Sequence, residues 1–114
     1  MEVKGANYHV TYESVTSTVS FQGTLRLRGL NEYDSIAQLL DEVVYAEPAK
    51  ITLDLRDLQF LNSSGINILF KFVIKVREKG QSKLIVIGSK QVSWQENSLQ
   101  NLQRLMADVQ LTWV

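Results

Sequence analysis

The sequence predicts an α/β domain built on a mixed β-sheet of about four or five strands, with the helices packed mainly on one face. Segments in which apolar residues alternate are interleaved with segments in which they follow helical spacing, in the order β-β-α-β-α-β-α-β. The chain has 114 residues and no linker or repeat, which suits one domain with one core. Residues 1–114 are therefore predicted to form a single domain, with the N-terminal strands at an antiparallel edge of the sheet.

The first two elements are predicted to form a β-hairpin. Apolar and polar residues alternate over residues 8–12, and the same alternation runs over residues 19–27 on either side of Gly23. The polar residues 14–17 lie between these segments and would form the turn.

An amphipathic helix is predicted after the hairpin. Asn31 is a suitable N-cap, and Pro48 ends the helix. The apolar positions follow the i, i+3, i+4, i+7, i+8 pattern at Ile36, Leu39, Leu40, Val43 and Val44.

The third strand and the second helix meet in the segment LQFLNSSGINILF, residues 58–70. Residues 51–55 alternate between apolar and polar, which predicts a strand. A strongly apolar helix follows and ends at Gly80, a residue type that favours helix C-termini. The N-terminus of this helix is therefore expected at or near Ser63 and Ser64.

The last third of the chain predicts a strand, a helix and a short closing strand. The unbroken run LIVI at residues 84–87 is typical of a central strand buried on both faces. The motif SWQE at residues 93–96 has the spacing of a capping box, and leucines continue at helical spacing beyond it. Trp94 is expected to pack at the entrance of this helix, and the alternation over residues 109–113 predicts the last strand.

Composition excludes several classes of function. The 12 basic and 12 acidic residues balance, so there is no overall charge to attract nucleic acid or an anionic membrane. There is no cysteine, and the single histidine, His9, cannot form a histidine metal site by itself. No signal peptide pattern precedes Val10, and the longest apolar segment is too short to span a bilayer. We expect a cytoplasmic protein without a metal or cofactor.

The polar residues of the central segment exceed what helix capping requires. One serine in the first helical turn can cap free backbone N–H groups, which contributes about 1 kcal/mol. Asn62, Ser63 and Ser64 are three such residues, and Gly65 lowers helix propensity while allowing another chain to approach closely. The excess indicates a recognition surface.

The segment DLRDLQFLNSSGINIL resembles the signature of the STAS domain, the anti-sigma factor antagonist family, in which a strand ends in a D-S-S-G or D-S-T-G turn that opens the second helix. The order of elements is similar over the whole chain, and FQGTL at residues 21–25 resembles the glycine-containing stretch of that family after its second strand. The resemblance therefore implies a STAS-like fold.

The resemblance implies a non-enzymatic regulatory protein of a bacterial partner-switching pathway. In that family the serine directly after the acidic residue is phosphorylated by a partner serine kinase, often itself an anti-sigma factor, and dephosphorylated by a PPM-type phosphatase. The matching serine is Ser63. The resemblance thus implies phosphorylation of Ser63 and partner binding through Asn62, Ser64 and Gly65.

Asn62 departs from the family pattern, in which aspartate is usual. It resembles instead a SiaC-like bacterial branch, which has L-N-T-S at this place and whose unphosphorylated form binds a diguanylate cyclase. The implied effector is therefore an anti-sigma factor, a diguanylate cyclase or another signalling enzyme. We hypothesise that the neutral amide of Asn62 eases phosphorylation or stabilises the phosphoserine form, since it avoids like-charge repulsion.

A phosphate at this place is expected to act on binding rather than on folding. It adds about −1.5 to −2 charges, while an exposed helix N-terminus stabilises an anion by only about 0.3 to 1 kcal/mol. At a packed interface, a loss of about 3 kcal/mol already lowers affinity more than a hundredfold. Partner release is the expected readout.

Other classes of function find less support. A hydrolase with Ser63 or Ser64 as nucleophile needs a base and an orienting acid, and His9 lies on the first predicted strand. Asp54 and Asp57 could bind magnesium, although such a pair at a strand end is more often solvated. A nucleotide- or lipid-binding STAS-like module is the alternative, but there is no glycine-rich phosphate loop.

The remaining basic residues near these elements are interpreted as surface charges. Lys71, Lys75 and Lys79 recur at helical spacing opposite the apolar stripe, and an exposed Phe72 beside them would instead favour a partner contact. Arg26 and Arg28 follow the second strand, where a partner contact stays open.

Overall fold

The computed structural model describes residues 1–114, apart from the side chain of Leu30, and confirms an α/β fold with a mixed sheet. The sheet has six strands rather than the four or five expected. The elements in chain order are β1 (Glu2–Lys4), β2 (Tyr8–Glu13), β3 (Thr18–Leu25), α1 (Gly29–Glu32), α2 (Asp34–Tyr45), β4 (Lys50–Leu61), α3 (Ser63–Lys79), β5 (Lys83–Gly88), α4 (Ser93–Leu105) and β6 (Gln110–Trp113).

The strands follow the chain in space, in the order β1-β2-β3-β4-β5-β6. The first three strands are antiparallel, which confirms the expected N-terminal edge, and β3 to β6 run parallel. The additional strand, β1, has three residues and pairs Val3 with Val10. A strand of three residues is too short to show a periodic pattern, which is why the sequence did not predict it.

The helices cover one face of the sheet, as expected. The strand pairing places Val19, Leu53 and Val86 in one row, and all three are fully buried in the cluster that also contains the apolar stripes of the helices. Their strand neighbours on the other face, such as Ile85 and Ile87, are only half-buried. The expectation that LIVI is buried on both faces is therefore wrong, since Ile85 and Ile87 stay partly exposed. None of the described helices combines the length and apolar character that crossing a bilayer requires.

The apolar stripe of α2 is confirmed, but the helix begins later than predicted. Its N-cap is Tyr33 instead of Asn31, which lies in the short helix α1. Tyr33 is 1% exposed and anchors the chain in the core before α2 begins. The preceding strand also ends early, because Leu25 is its last residue paired with β4, so Leu27 lies outside it.

The long strand β4 leaves its neighbour β5 halfway along. It pairs with β5 only as far as Asp54, whereas its pairing with β3 continues to Leu61 through two register shifts. Such shifts insert extra residues on one strand and bend it away. The end of β4, which leads into Asn62, is therefore held by β3 on one side only.

A buried glutamine on α4 closes the gap between β4 and β5. The Gln95 side chain has no exposed surface, and its Nε2 donates hydrogen bonds to the carbonyl oxygens of Leu55 at 2.6 Å and Leu58 at 3.1 Å. Its Oε1 accepts one from the backbone N–H of Ser89 at 2.8 Å. One side chain thus supplies hydrogen bonds that the diverging strands no longer exchange.

The predicted capping box of α4 does not form. The N-cap is Val92, which makes no side-chain capping bond, and the Gln95 amide is instead used between the strands. Trp94 packs at the helix entrance as expected, and its Nε1 donates to the Leu58 carbonyl at 3.2 Å. The SWQE pattern therefore reflects attachment of the helix to the sheet rather than capping.

Replacement of Gln95 by alanine is expected to destabilise the fold by about 3 kcal/mol, because the Ser89 N–H and the Leu55 carbonyl lose their partners in a buried place. Urea denaturation measures this free energy of unfolding. The control is Gln100→Ala on the exposed face of the same helix, which should change it by less than about 0.5 kcal/mol. Equal effects of the two substitutions would contradict the role given to Gln95.

Candidate functional site

The second long helix, α3, begins at Ser63, as predicted, but its cap is Asn62 and not a serine. Asn62 has extended backbone angles, φ −79° and ψ 177°, and its Oδ1 accepts a hydrogen bond from the Gly65 N–H at 3.0 Å. Its carbonyl accepts from the Ile66 N–H at 2.9 Å. Asparagine is among the best N-cap residues, and here it caps the helix in place of the serine that the sequence suggested for this role.

The Asn62 amide also connects three elements that are distant in sequence. Its Oδ1 accepts a hydrogen bond from the Tyr33 hydroxyl at 2.7 Å, and its Nδ2 donates to the Leu27 carbonyl at 2.7 Å. The backbone N–H of Asn62 donates to the Leu25 carbonyl at 3.2 Å. The side chain must therefore accept and donate at once, which an amide does and an ionised carboxylate does not.

The Tyr33 hydroxyl remains a donor in this arrangement. Burial raises the pKa of Tyr33 above its usual value, although a backbone hydrogen bond from the Leu27 region opposes the shift. A neutral phenol is therefore present at all ordinary pH values. This tyrosine was not singled out from the sequence, although it lies three residues before Ile36 and so continues the spacing of the apolar stripe; it is buried.

Gly65 is buried, and the reason for a glycine lies within the chain. A β-carbon at this position would collide with Leu61 Cδ1 and lie 2.7 Å from the Tyr33 hydroxyl oxygen. The glycine thus lets the first turn of α3 pack directly on the end of β4 and on Tyr33. A role of Gly65 in partner binding remains a prediction. What the structure shows is its role in internal packing.

The two serines differ in exposure. Ser63 is exposed and Ser64 is half-buried. Since Asn62 already accepts from the N–H groups of Gly65 and Ile66, the first turn is fixed while the Ser63 hydroxyl faces solvent. The structure therefore brings the four predicted site residues together and presents Ser63 most openly among them.

Next to Asn62 lies a small patch of aromatic and basic character that the sequence left undecided. Phe60, the β4 residue paired with Thr24, is 37% exposed, and the Arg26 guanidinium lies over its ring at 4.5 Å from the centroid. This distance is typical of a cation–π contact. Arg28, two residues further along the same segment, is exposed.

The lysines of α3 are partly engaged within the chain. Lys75 Nζ lies 2.6 Å from Asp41 and Lys79 Nζ lies 3.3 Å from Glu47, both on or next to α2. An exposed Phe72 would have favoured a partner contact on this face, but Phe72 is buried, with 2% of its surface exposed. These lysines stabilise the contact between α2 and α3 rather than simply forming a solvated face.

Asp54 and His9, which were considered above for magnesium binding and for catalysis, also have partners within the chain. Arg56 donates two hydrogen bonds to the Asp54 carboxylate, at 3.0 and 2.8 Å. Burial raises the pKa of Asp54, but the hydrogen bonds and charge of Arg56 outweigh it and hold that pKa below its usual value. His9 is hydrogen-bonded to Glu2 on the neighbouring strand. Among the described residues, no group of three acidic, histidine or cysteine side chains is placed to hold a metal ion.

A shallow groove of about 400 Å³ lies at the carboxyl ends of β4, β5 and β6. This edge of a parallel sheet is where α/β folds commonly bind ligands. The lining is mostly polar, and its arginine, Arg56, is already paired with Asp54. The lining residues are Arg56, Asp57, Gln59, Ser89, Gln91, Val92 and Val114. Nothing in this lining favours the nucleotide- or lipid-binding alternative.

Comparison with known proteins gives one family. The sequence model of the STAS domain matches residues 11–103, which include the β4–α3 junction and all four predicted site residues. Among curated proteins, none matches this chain by sequence.

Several solved structures share the fold. SiaC of Pseudomonas aeruginosa in its apo form has a TM-score of 0.71 at 10% identity, covering 99% of this chain and 96% of that chain. The complex of the diguanylate cyclase SiaD with its activator SiaC, from the same organism, has 0.67 at 12%, covering 100% and 99%. An anti-sigma factor antagonist from Mycobacterium paratuberculosis has 0.69 at 18%, covering 96% and 90%. These similarities concern the fold.

Substitutions at Asn62 are expected to separate its accepting and donating roles. Asn62→Ala should lower the free energy of unfolding by about 2 to 3 kcal/mol, since the cap is lost and the Leu27 carbonyl and Tyr33 hydroxyl lose partners. Asn62→Asp keeps the acceptor and loses only the donor, so about 1 kcal/mol is expected. Urea denaturation checks both values, with Asn67→Ala on the exposed face of the same helix as the control that should be nearly neutral. An Asn62→Asp variant as stable as wild type would contradict the donating role, and identical effects of alanine and aspartate would contradict the accepting role.

The lowered pKa of Asp54 predicts a dependence of stability on pH. A carboxyl group whose pKa is lower when folded stabilises the fold above its unfolded pKa and loses this contribution as the pH falls through its folded pKa. The stability difference between wild type and Arg56→Gln should therefore be largest at neutral pH and close in acid. Denaturation between pH 7 and pH 3 measures it. Arg104→Gln, which removes an exposed arginine outside the ion pairs of the described residues, should show no such closing.

Proposed function

Because the chain belongs to the STAS domain family, we propose that it is a non-enzymatic regulator of a bacterial partner-switching pathway, which binds a protein partner reversibly under control of phosphorylation at Ser63. One observation carries the proposal. Ser63 is the exposed first residue of α3, directly after an asparagine that fixes the start of this helix through its side chain.

The fixed surroundings of Ser63 suit a modification that is read by another protein. The Asn62 amide holds the helix start to Tyr33 and to the Leu27 carbonyl, while Ser63 faces solvent and is accessible to a kinase and a phosphatase. A phosphate would therefore project from a rigid surface. At an exposed helix N-terminus a phosphate changes the stability of the fold by only about 0.3 to 1 kcal/mol, which is too small to alter it. Its main effect would be on binding, through the repulsion and desolvation that a docked partner would meet.

The proposed partners follow from the family and from the fold neighbours. The solved complex of SiaD with its activator SiaC is an example of a protein of this fold acting on a diguanylate cyclase. We propose that the present chain likewise has an effector protein, either a diguanylate cyclase or an anti-sigma factor, together with a serine kinase and a PPM-type phosphatase. The docking surface would centre on Ser63, with Ser64 and the polar neighbour Asn62 beside it and Gly65 keeping the turn closely packed.

A cytoplasmic location accords with this role, since the proposed partners act there.

The hydrogen bonds of Asn62 refine the hypothesis on how it supports phosphorylation of Ser63. Its amide is turned toward Tyr33 and the Leu27 carbonyl, so it would support the phosphoserine form by holding the helix start in place rather than by contacting the phosphate. Kinase and phosphatase rates of Asn62→Asp test this hypothesis.

The central experiment compares partner capture by wild type, Ser63→Ala and Ser63→Asp in lysate of the native host, combined with mapping of phosphorylated residues. Wild type and Ser63→Ala should capture the same effector, and Ser63→Asp should bind the identified effector at least about tenfold more weakly, because a charge is placed at the interface. Ser35→Asp provides the matched control, since Ser35 is an exposed serine in the first turn of α2. The proposal fails if all variants capture the same proteins equally and Ser63 is never modified.

A further inference from the structure

Two exposed arginines lie on the segment that Asn62 ties to the start of α3. The segment follows β3 and contains Arg26 and Arg28 on either side of Leu27. The carbonyl of Leu27 accepts a hydrogen bond from Asn62 Nδ2 at 2.7 Å, and the carbonyl of Leu25 accepts one from the Asn62 N–H. Ser63 is the residue directly after Asn62, so the segment that carries the two arginines is tied to the residue beside the serine that we propose to be modified.

Neither arginine has an anionic partner in the described part of the chain. The ion pairs there join His9, Arg56, Lys75 and Lys79 to carboxylates on other elements. Arg26 lies instead over the Phe60 ring, a contact that binds a cation weakly at an exposed site. Two positive charges thus lie on the segment that is bonded to Asn62, without a counter-charge among the described residues.

We propose that Arg26 and Arg28 form an internal receptor for a phosphate on Ser63, an inference that rests on the proposed function. The guanidinium group matches the geometry of phosphate oxygens and can bind them with two parallel hydrogen bonds. Such charge-assisted bonds are roughly twice as strong as neutral ones, so they compete successfully with the exposed contact of Arg26 on Phe60.

The receptor gives the modification a second effect on the binding surface. Before phosphorylation the two arginines contribute two positive charges around Ser63, a surface that fits an acidic partner. The phosphate adds about −1.5 to −2 charges, which nearly cancels them. Movement of Arg26 toward the phosphate also uncovers the Phe60 ring. Phosphorylation therefore removes the positive patch in addition to placing a bulky group at its centre.

Other titratable groups lie on the neighbouring elements: Tyr8 on β2, Glu32 in α1, Tyr33, Asp34 at the start of α2, and Asp57 on β4. None of them forms an ion pair with Arg26 or Arg28 among the described residues. A phosphate on Ser63 changes charge near pH 6.

The test uses the full chain with phosphoserine installed at position 63 by genetic code expansion, so that it needs no kinase. Titration followed by ³¹P NMR measures the second pKa of the phosphate in wild type, Arg26→Gln, Arg28→Gln and the double variant. Capture by the arginines should lower this pKa by about 0.3 to 0.7 from its ordinary value near 6, as expected for partly exposed ion pairs. The double variant should restore the ordinary value, and 1 M salt should reduce the shift in wild type.

Arg104→Gln provides the control, because it removes an equally exposed arginine from α4 and should leave the phosphate pKa as in wild type. Circular dichroism of each variant confirms that the fold is retained. A phosphate pKa that is the same in wild type and in the double variant overturns the receptor. That result would leave partner switching intact, whereas absence of Ser63 phosphorylation in cells would overturn the proposed function without changing the titration.

Discussion

The arrangement of the site depends on the two ends of one amide group. The Asn62 Oδ1 satisfies the first turn of α3 and the Tyr33 hydroxyl, while its Nδ2 holds the Leu27 carbonyl. Each hydrogen bond contributes modestly, about 0.5 to 1.5 kcal/mol, but together they join three pieces of chain that are distant in sequence. The exposed Ser63 next to this amide thereby has a defined position, although its own side chain takes no part in these hydrogen bonds. The departure from the acidic residue usual in the family thus also has a structural effect in this chain, because the amide donates a hydrogen bond to the Leu27 carbonyl that a carboxylate would not.

A second amide solves a comparable problem on the other side of β4. Where β4 separates from β5, Gln95 bridges the two strands with its donor and acceptor ends. The end of β4 is therefore supported by β3 on one side and by a side chain of α4 on the other. Both amides stabilise backbone that lies outside regular pairing, and both act immediately before or around the β4–α3 junction. The freedom of this junction is limited from both sides, which is what a surface that must be recognised repeatedly requires.

Periodic features were predictable from the sequence, and features that depend on a single side chain were not. The hairpin and the stripe of α2 follow from repeated patterns, and the two ends of α3 follow from residue types that favour helix termini. The caps were misassigned, because serine, asparagine and glutamate compete for similar roles and only the folded backbone decides which one reaches it. Tyr33 and Gln95 escaped notice for a related reason, since the bonds they form join residues about 30 to 40 positions apart. Gln95 did leave a signal, namely a polar residue at a position where the spacing of Leu99 and Leu102 calls for an apolar one.

The buried glycine at the start of α3 has a consequence for how this surface can diversify. A β-carbon at position 65 would force Leu61 and Tyr33 to move, so this position is strongly constrained. Asn62 is constrained in the same way by its three partners. New specificity must therefore arise at the surrounding exposed positions, such as 26, 28, 60 and 63, whose side chains can be exchanged without disturbing the packing beneath. The β4–α3 junction is thus a rigid base, and the exposed residues around it can differ in shape and charge.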